Sequence, residues 1–176
     1  MTPAPRLLRR RHALAAFIAA ATWRLPAWSA DALAKPQGKV VLSVTGPVER
    51  ANAGDRADVD MAMLEALPQH SFATATPWFK TPRRFSGPLL RDVLAAAGVK
   101  GSLLSAVALN DYKVEIPAED AQRFKVLMAT RLDDQPMSVR DKGPLFIIYP
   151  YDDSADLRSE RYYSRSAWQL RTLAVK

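Results

Sequence analysis

Aromatic and polar side chains gather where three apolar segments of the sequence end. The segments are residues 108–112 (ALNDY), 143–152 (GPLFIIYPYD) and 165–170 (RSAWQL). Trp78 follows Pro77 in a segment that predicts a loop, where core packing does not readily explain so large a side chain. These residue types supply flat faces for stacking and hydrogen-bonding groups beside them, which is the chemistry of small-molecule binding.

Several familiar kinds of site are excluded by composition. The chain has no cysteine, which excludes disulfides, thiolate zinc sites, iron–sulfur clusters and a cysteine nucleophile. Its two histidines, His12 and His70, are too few for a polyhistidine metal site, and we expect His70 to be exposed or in the core rather than a catalytic base. The serines have no evident base nearby, which argues against a serine hydrolase.

A fourth segment, residues 85–94 (FSGPLLRDVL), completes an ordered set with the three segments above. In order and approximate spacing the set resembles the oxidoreductase molybdopterin-binding domain family, which has the fold of sulfite oxidase. The resemblance covers residues 38–176 and is strongest to the small, exported, single-domain bacterial members. It implies an α+β fold with mixed β-sheets and a few short helices.

The sequence departs from that family at the metal ligand. Catalytic members hold molybdenum through a cysteine in the segment that corresponds to residues 72–78 (FATATPW), and no cysteine is present here. A threonine hydroxyl cannot replace the thiolate, because its pKa is far higher and its oxygen is a harder donor. We therefore expect no bound molybdenum cofactor and a protein that is not a redox enzyme.

Relatives that lack this cysteine are thought to be periplasmic pterin-binding partners of inner-membrane signalling proteins, either cyclic-di-GMP enzymes or histidine kinases. The resemblance implies the same role and a pterin-type ligand here. The implied pocket holds six candidate ligand-binding residues: Trp78, Asn110, Asp111, Tyr112, Arg165 and Trp168. The aromatic rings would stack on the heterocycle, Asn110, Asp111 and Asp152 would meet its amino-pyrimidine edge, and Arg165 would bind a carbonyl or phosphate.

Each candidate also has a purely structural interpretation. Trp168 opens a predicted strand and could be a core residue. Residues 110–112 could be a simple turn, since Asn and Asp favour such positions. Residues 149–152 could be an ordered corner, and Arg165 could form a surface ion pair with Asp152, Asp153 or Glu160.

The positive charge of the chain is concentrated near its start. Residues 1–30 contain five arginines and no acids, so the formal net charge of +7 falls to a small excess of base over the remaining residues. Arginines at 6–11, the apolar run 13–22 (ALAAFIAAAT) and the small residues that follow predict a signal peptide over residues 1–30. We therefore expect a periplasmic domain over residues 31–176 and no nucleic-acid partner, because the folded part carries no basic patch.

Short elements separated by 13 prolines must position these side chains. Strands are predicted at 39–45, 71–76, 103–109, 113–116, 126–130, 145–149 and 168–175. Helices are predicted over 58–67, from Ser86-Gly87-Pro88 to Gly98, and over 117–124. A turn is predicted at 133–136, and an exposed charged loop at 151–162.

The combined expectation is an exported, non-catalytic domain that binds a small heterocycle and modulates a membrane receptor. Two alternatives stay open. One is a molybdenum cofactor-dependent oxidoreductase, or a subunit of one, with an unusual ligand. The other is a ligand-free interaction module whose former pocket is filled by side chains.

Overall fold

The structure is a computed structural model that describes residues 33–176, and within these residues it contains eleven strands and four short α-helices. The strands are β1 Val40–Thr45, β2 Ala57–Asp60, β3 Gln69–Thr74, β4 Arg83–Pro88, β5 Leu103–Ala108, β6 Lys113–Pro117, β7 Leu127–Ala129, β8 Arg131–Leu132, β9 Gln135–Pro136, β10 Phe146–Ile148 and β11 Leu170–Val175. The helices are α1 Met61–Glu65, α2 Leu90–Ala97, α3 Ala118–Arg123 and α4 Glu160–Arg165. This confirms the predicted α+β class.

Residues 1–30, the predicted signal peptide, lie outside the described residues. Within residues 33–176, no helix has the length and apolar character needed to cross a bilayer.

The strands form three sheets. The largest has the order β2-β1-β11-β5-β6, and its only parallel pair is β1 with β11. A second sheet has the order β3-β4-β8-β9, and β10 pairs with β7 in the third. Pairing within the second and third sheets is antiparallel throughout. An isolated bridge between Phe146 and Trp168 links the third sheet to the segment before β11.

The second and third sheets meet at Gly87. A Cβ added there would lie 2.3 Å from the carbonyl oxygen of Met128, so only glycine allows β4 to approach β7 so closely. Around this contact the interior is dominated by fully buried large side chains, among them Phe85, Phe146 and Tyr149. One core therefore supports all three sheets.

Most predicted strands are found within two residues of their expected bounds, and the helix predicted at 117–124 is α3. The helix predicted over 58–67 is wrong in its first three residues, because residues 57–60 form β2 and pair with β1. Asp60 ends that strand and caps α1, since its carboxylate accepts from the amide nitrogen of Met63 at 2.9 Å.

The predicted helix start at residues 86–88 is also wrong. These residues complete β4, where Pro88 lies opposite Gln69, and α2 begins at Leu90 without a side-chain cap. The carbonyl of Val126 takes the place of the cap by accepting from the amide nitrogen of Leu90 at 2.8 Å. The predicted end is confirmed, because Gly98 adopts φ 65° and closes α2 in the left-handed conformation.

The predicted turn at 133–136 is the tip of the β8–β9 hairpin. Asp133 and Asp134 have φ values of 47° and 63°, the sign that two-residue hairpin turns require at both central positions. Asp133 also pairs with Arg83.

The exposed loop expected at 151–162 is not observed. Two 3-10 turns, at Tyr151–Asp153 and Ala155–Leu157, lead into α4, and Tyr151, Leu157 and Tyr162 are buried. The charged residues between them face solvent and conceal this apolar spacing in the sequence. The segment is therefore an ordered part of the fold.

Candidate functional site

An open cleft of about 510 Å³ lies between the loop after β3, the β5–β6 turn and α4. We call it the aromatic cleft, and its lining residues are Pro77, Trp78, Asn110, Tyr112, Glu160, Tyr163, Ser164, Ser166 and Trp168. Four of the six residues proposed from the sequence are in this set: Trp78, Asn110, Tyr112 and Trp168. They come from three separate parts of the chain, so only the fold brings them together.

Trp78 is held in the wall of the cleft from two sides. Its backbone nitrogen donates to the Thr76 hydroxyl at 3.4 Å, at the upper limit for a hydrogen bond. Its indole packs edge-on or tilted against Phe146 and Tyr151, with ring centroids 5.7 and 6.3 Å away. The half-buried ring therefore contacts the core and lines the cleft at the same time.

Trp168 also contacts the core and lines the cleft, so a core position and a role in ligand binding are compatible for this residue. Its ring lies 5.4 Å from that of Trp78 at an interplanar angle of 73°, and 6.0 Å from that of Phe146 at 90°. The ammonium of Lys142 lies over the Trp168 ring, 4.2 Å from its centroid. Burial lowers the pKa of that ammonium.

The β5–β6 turn brings two side chains to the cleft and turns one away. The side-chain oxygen of Asn110 accepts from the Tyr112 amide nitrogen at 3.2 Å, and the Tyr112 hydroxyl donates to the Ser164 carbonyl at 3.3 Å. Asp111 adopts φ 65° and pairs with Arg171 at 2.5 Å. Its carboxylate is 77% exposed and does not line the cleft.

Arg165 lies outside the cleft, in a group that we call the Asp120 cluster (Asp120, Tyr149 and Arg165). The Asp120 carboxylate accepts from the Arg165 guanidinium and from the Tyr149 hydroxyl, each at 2.7 Å. Burial is the main reason that the pKa of Tyr149 is raised, and the Asp120 charge adds to the shift. The cluster joins the end of α4 to α3. Arg165 therefore pairs with Asp120 and not with Asp152, Asp153 or Glu160.

Asp152 also differs from its expected role. Its carboxylate accepts from the amide nitrogen of Ala75 at 2.8 Å and does not line the cleft. This bond ties the 3-10 turn after β10 to the start of the loop that carries Trp78. Asp152 therefore positions a wall of the cleft.

The sequence interpretation missed four lining residues that follow one another closely: Glu160, Tyr163, Ser164 and Ser166. Ser166 is buried and hydrogen-bonded to the hydroxyl of Tyr151, whose pKa is raised mainly by burial. The available signal was the density of Tyr and Ser in residues 159–166 (SERYYSRS). The surrounding arginines made this stretch resemble a solvated loop.

The electrostatic character of the cleft follows from its lining. Glu160 is the only residue with a carboxylate among the lining residues, and none of them is a lysine or arginine. Four of the nine lining residues are tyrosine or tryptophan, whose ring faces are electron-rich. The cleft therefore favours ligands with donor-rich or positively charged parts over anions.

Molybdenum does not fit the residues present. The sequence offers no thiolate, and within residues 33–176 no group of three or more His, Cys, Asp or Glu side chains could hold a metal ion. Within residues 72–78, Thr74 is buried and its hydroxyl lies 3.4 Å from the Ala75 carbonyl. Thr76 instead faces the backbone of Trp78.

Comparison with known proteins adds no assignment: no family model matches the chain, and no curated protein matches it.

Proposed function

We propose that this protein is an exported, non-catalytic domain of the sulfite oxidase-like fold that binds a pterin in the aromatic cleft and modulates a membrane signalling receptor. A cyclic-di-GMP enzyme or a histidine kinase is the proposed kind of receptor. The observation that carries the proposal is the convergence of Trp78, Asn110, Tyr112 and Trp168 on one cleft of about 510 Å³. That volume lies in the range of small-molecule sites.

The side chains of the cleft suit both the flat ring face and the polar ring edge of a pterin. Trp78, Tyr112 or Trp168 would contact the flat ring system, and the Asn110 amide would meet polar atoms at its edge. Glu160 adds a carboxylate, which matches the adjacent N–H donors of an amino-pyrimidine edge. These contacts need no metal.

Modulation of a receptor requires that ligand binding change a docking surface. The β5–β6 turn connects the cleft to such a surface, because Asn110 and Tyr112 line the cleft and Leu109 lines an apolar groove of about 440 Å³. Leu109 is 45% exposed, and Val139, which also lines the groove, is 51% exposed. A ligand that orders this turn would favour one docking state, which is the condition for transmitting a signal.

The protein should be purified without denaturation, extracted, and examined by fluorescence, mass spectrometry and metal analysis. The proposal expects a fluorescent pterin without molybdenum, or saturable binding of added neopterin by protein that has lost its ligand. Molybdopterin with stoichiometric metal would contradict the non-catalytic assignment. Failure to bind any of a panel of oxidised and reduced pterins would contradict pterin binding.

The ligand-free interaction module is the second candidate, and the exposed apolar groove favours it. The open aromatic cleft counts against its original form, in which side chains fill the pocket. The two candidates differ in one result: a pure interaction module docks to its receptor equally well with and without pterin. A molybdenum enzyme ranks below both, since no thiolate is present.

A further inference from the structure

The ring geometry of the aromatic cleft points to a second class of ligand. The Trp78 ring is nearly perpendicular to that of Trp168, at 73°, and to that of Tyr163, at 80°. Tyr112 lines the same space, so four aromatic side chains face one cleft. Because these rings meet at steep angles and line one open cleft, a compact cationic group in the cleft can contact more than one of them.

The charge distribution favours a cation in that position. The Glu160 carboxylate lines the cleft, and no lysine or arginine does so. The protein already places an ammonium on one of these rings, since Lys142 Nζ lies 4.2 Å from the Trp168 centroid. Lys142 reaches this ring from the neighbouring turn and does not itself line the cleft.

We propose that the aromatic cleft binds a small quaternary ammonium compound of the choline type, with the cation among the aromatic rings and Glu160 as its counter-charge. This ligand class goes beyond the proposed pterin and would compete with it for the same space. Methylated ammonium groups suit such a site because they have no N–H donors to satisfy, so aromatic contact replaces their hydration at little cost.

Two probes of nearly equal shape test the role of charge. Choline and its neutral isostere 3,3-dimethylbutan-1-ol should be titrated into the full chain, with tryptophan fluorescence and calorimetry as readouts. We expect saturable choline binding at least tenfold tighter than binding of the isostere. Equal affinity for the two probes, or no saturable choline binding, would overturn the inference.

Two substitutions with opposite expected effects on choline affinity distinguish a role in recognition from general damage to the fold. Glu160→Gln removes the counter-charge and should weaken choline binding at least fivefold. Lys142→Met removes a positive charge beside Trp168 and should strengthen choline binding about twofold or more, because the two cations no longer repel each other. Glu119→Gln, at an exposed glutamate of α3 away from the cleft, is the matched control and should leave affinity unchanged.

A loss of affinity in Lys142→Met equal to that in Glu160→Gln would show general damage and contradict the inference. Circular dichroism and thermal melting should confirm that each variant is folded. The isostere is a further control, since neither substitution should change its binding more than twofold.

Neopterin titrated into the same preparation distinguishes this inference from the proposed function. Neopterin binding without choline binding would leave the pterin proposal standing and remove the quaternary ammonium. Choline binding without neopterin binding would contradict the pterin proposal and would support a cationic ligand for the cleft. If both bind, choline should displace neopterin, and independent binding would show that they do not share the cleft.

Discussion

The Asp120 cluster and the aromatic cleft both include residues of α4 and use similar residue types in different ways. In the cluster, one carboxylate accepts from both an arginine and a tyrosine at 2.7 Å, and the group is largely buried. In the cleft, Glu160 is exposed and lines open space. Residue type alone therefore does not distinguish a ligand-binding group from a structural one. What distinguishes them is whether the side chain has a hydrogen-bond or ion-pair partner inside the protein.

Glu160 and Arg165 are only five positions apart on α4 but belong to these two different environments. Glu160, in the first turn, lines the cleft, and Arg165, at the end of the helix, joins the Asp120 cluster. The cluster holds α4 against α3, so it fixes the position from which the helix presents Glu160 and Tyr163. We infer that the cluster stabilises the fold and that the cleft is available for binding.

The largest expected effect is on the cluster. Asp120→Ala leaves the partly buried Arg165 guanidinium and the buried Tyr149 hydroxyl without their shared acceptor, and should destabilise the protein by about 3 kcal/mol. Urea unfolding measures this change, with Glu119→Ala as the control on the same helix. A loss below about 1 kcal/mol would mean that the cluster does not anchor α4.

The next largest effect is on the cleft. Trp78→Leu removes one aromatic wall but keeps an apolar contact with the core, and should reduce neopterin affinity at least tenfold, or about 1.4 kcal/mol. Phe79→Leu is the control, because Phe79 follows Trp78 in the chain and does not line the cleft. If both variants bind neopterin as tightly as the wild type, the cleft is not the pterin site.

Alkaline pH provides a third test, specific to the cluster. Burial raises the pKa of Tyr149 in the folded state, so the unfolded chain releases this proton first, near pH 10. The stabilising contribution of protonated Tyr149 to the free energy of unfolding is therefore fully present below pH 10. It is lost progressively as the pH rises above 10. Above pH 10, the free energy of unfolding of Tyr149→Phe should therefore fall less steeply with pH than that of the wild type. Urea unfolding at a series of pH values measures this slope, and an unchanged slope would contradict the raised pKa of Tyr149.

The smallest effect is expected at Asp111, which the sequence had grouped with the binding residues. Its carboxylate is exposed, pairs with Arg171 and does not line the cleft. Asp111→Asn should change neopterin affinity less than twofold, because an exposed pair contributes little. A tenfold loss would return Asp111 to the site and would mean that the β5–β6 turn rearranges when ligand binds.

The sequence predicted local structure well where neighbouring residues decide it. The β-branched run at 39–45 forms β1, and Gly98 ends α2 because it adopts the left-handed conformation without strain. The errors occurred where distant residues decide the outcome. Residues 57–60 form a strand because β1 lies beside them, and α2 begins at Leu90 because the Val126 carbonyl accepts its N–H.

The same division applies to function. Composition excluded thiolate metal sites and a cysteine nucleophile, and the pattern of aromatic and polar residues predicted Trp78, Asn110, Tyr112 and Trp168 as binding residues, which the fold places on one cleft. Tertiary structure alone separated Arg165 and Asp111 from them and added Glu160, since it determines which side chains find a partner inside the protein. A charged group with an internal partner stabilises the fold, whereas one that faces an open cleft is available to a ligand.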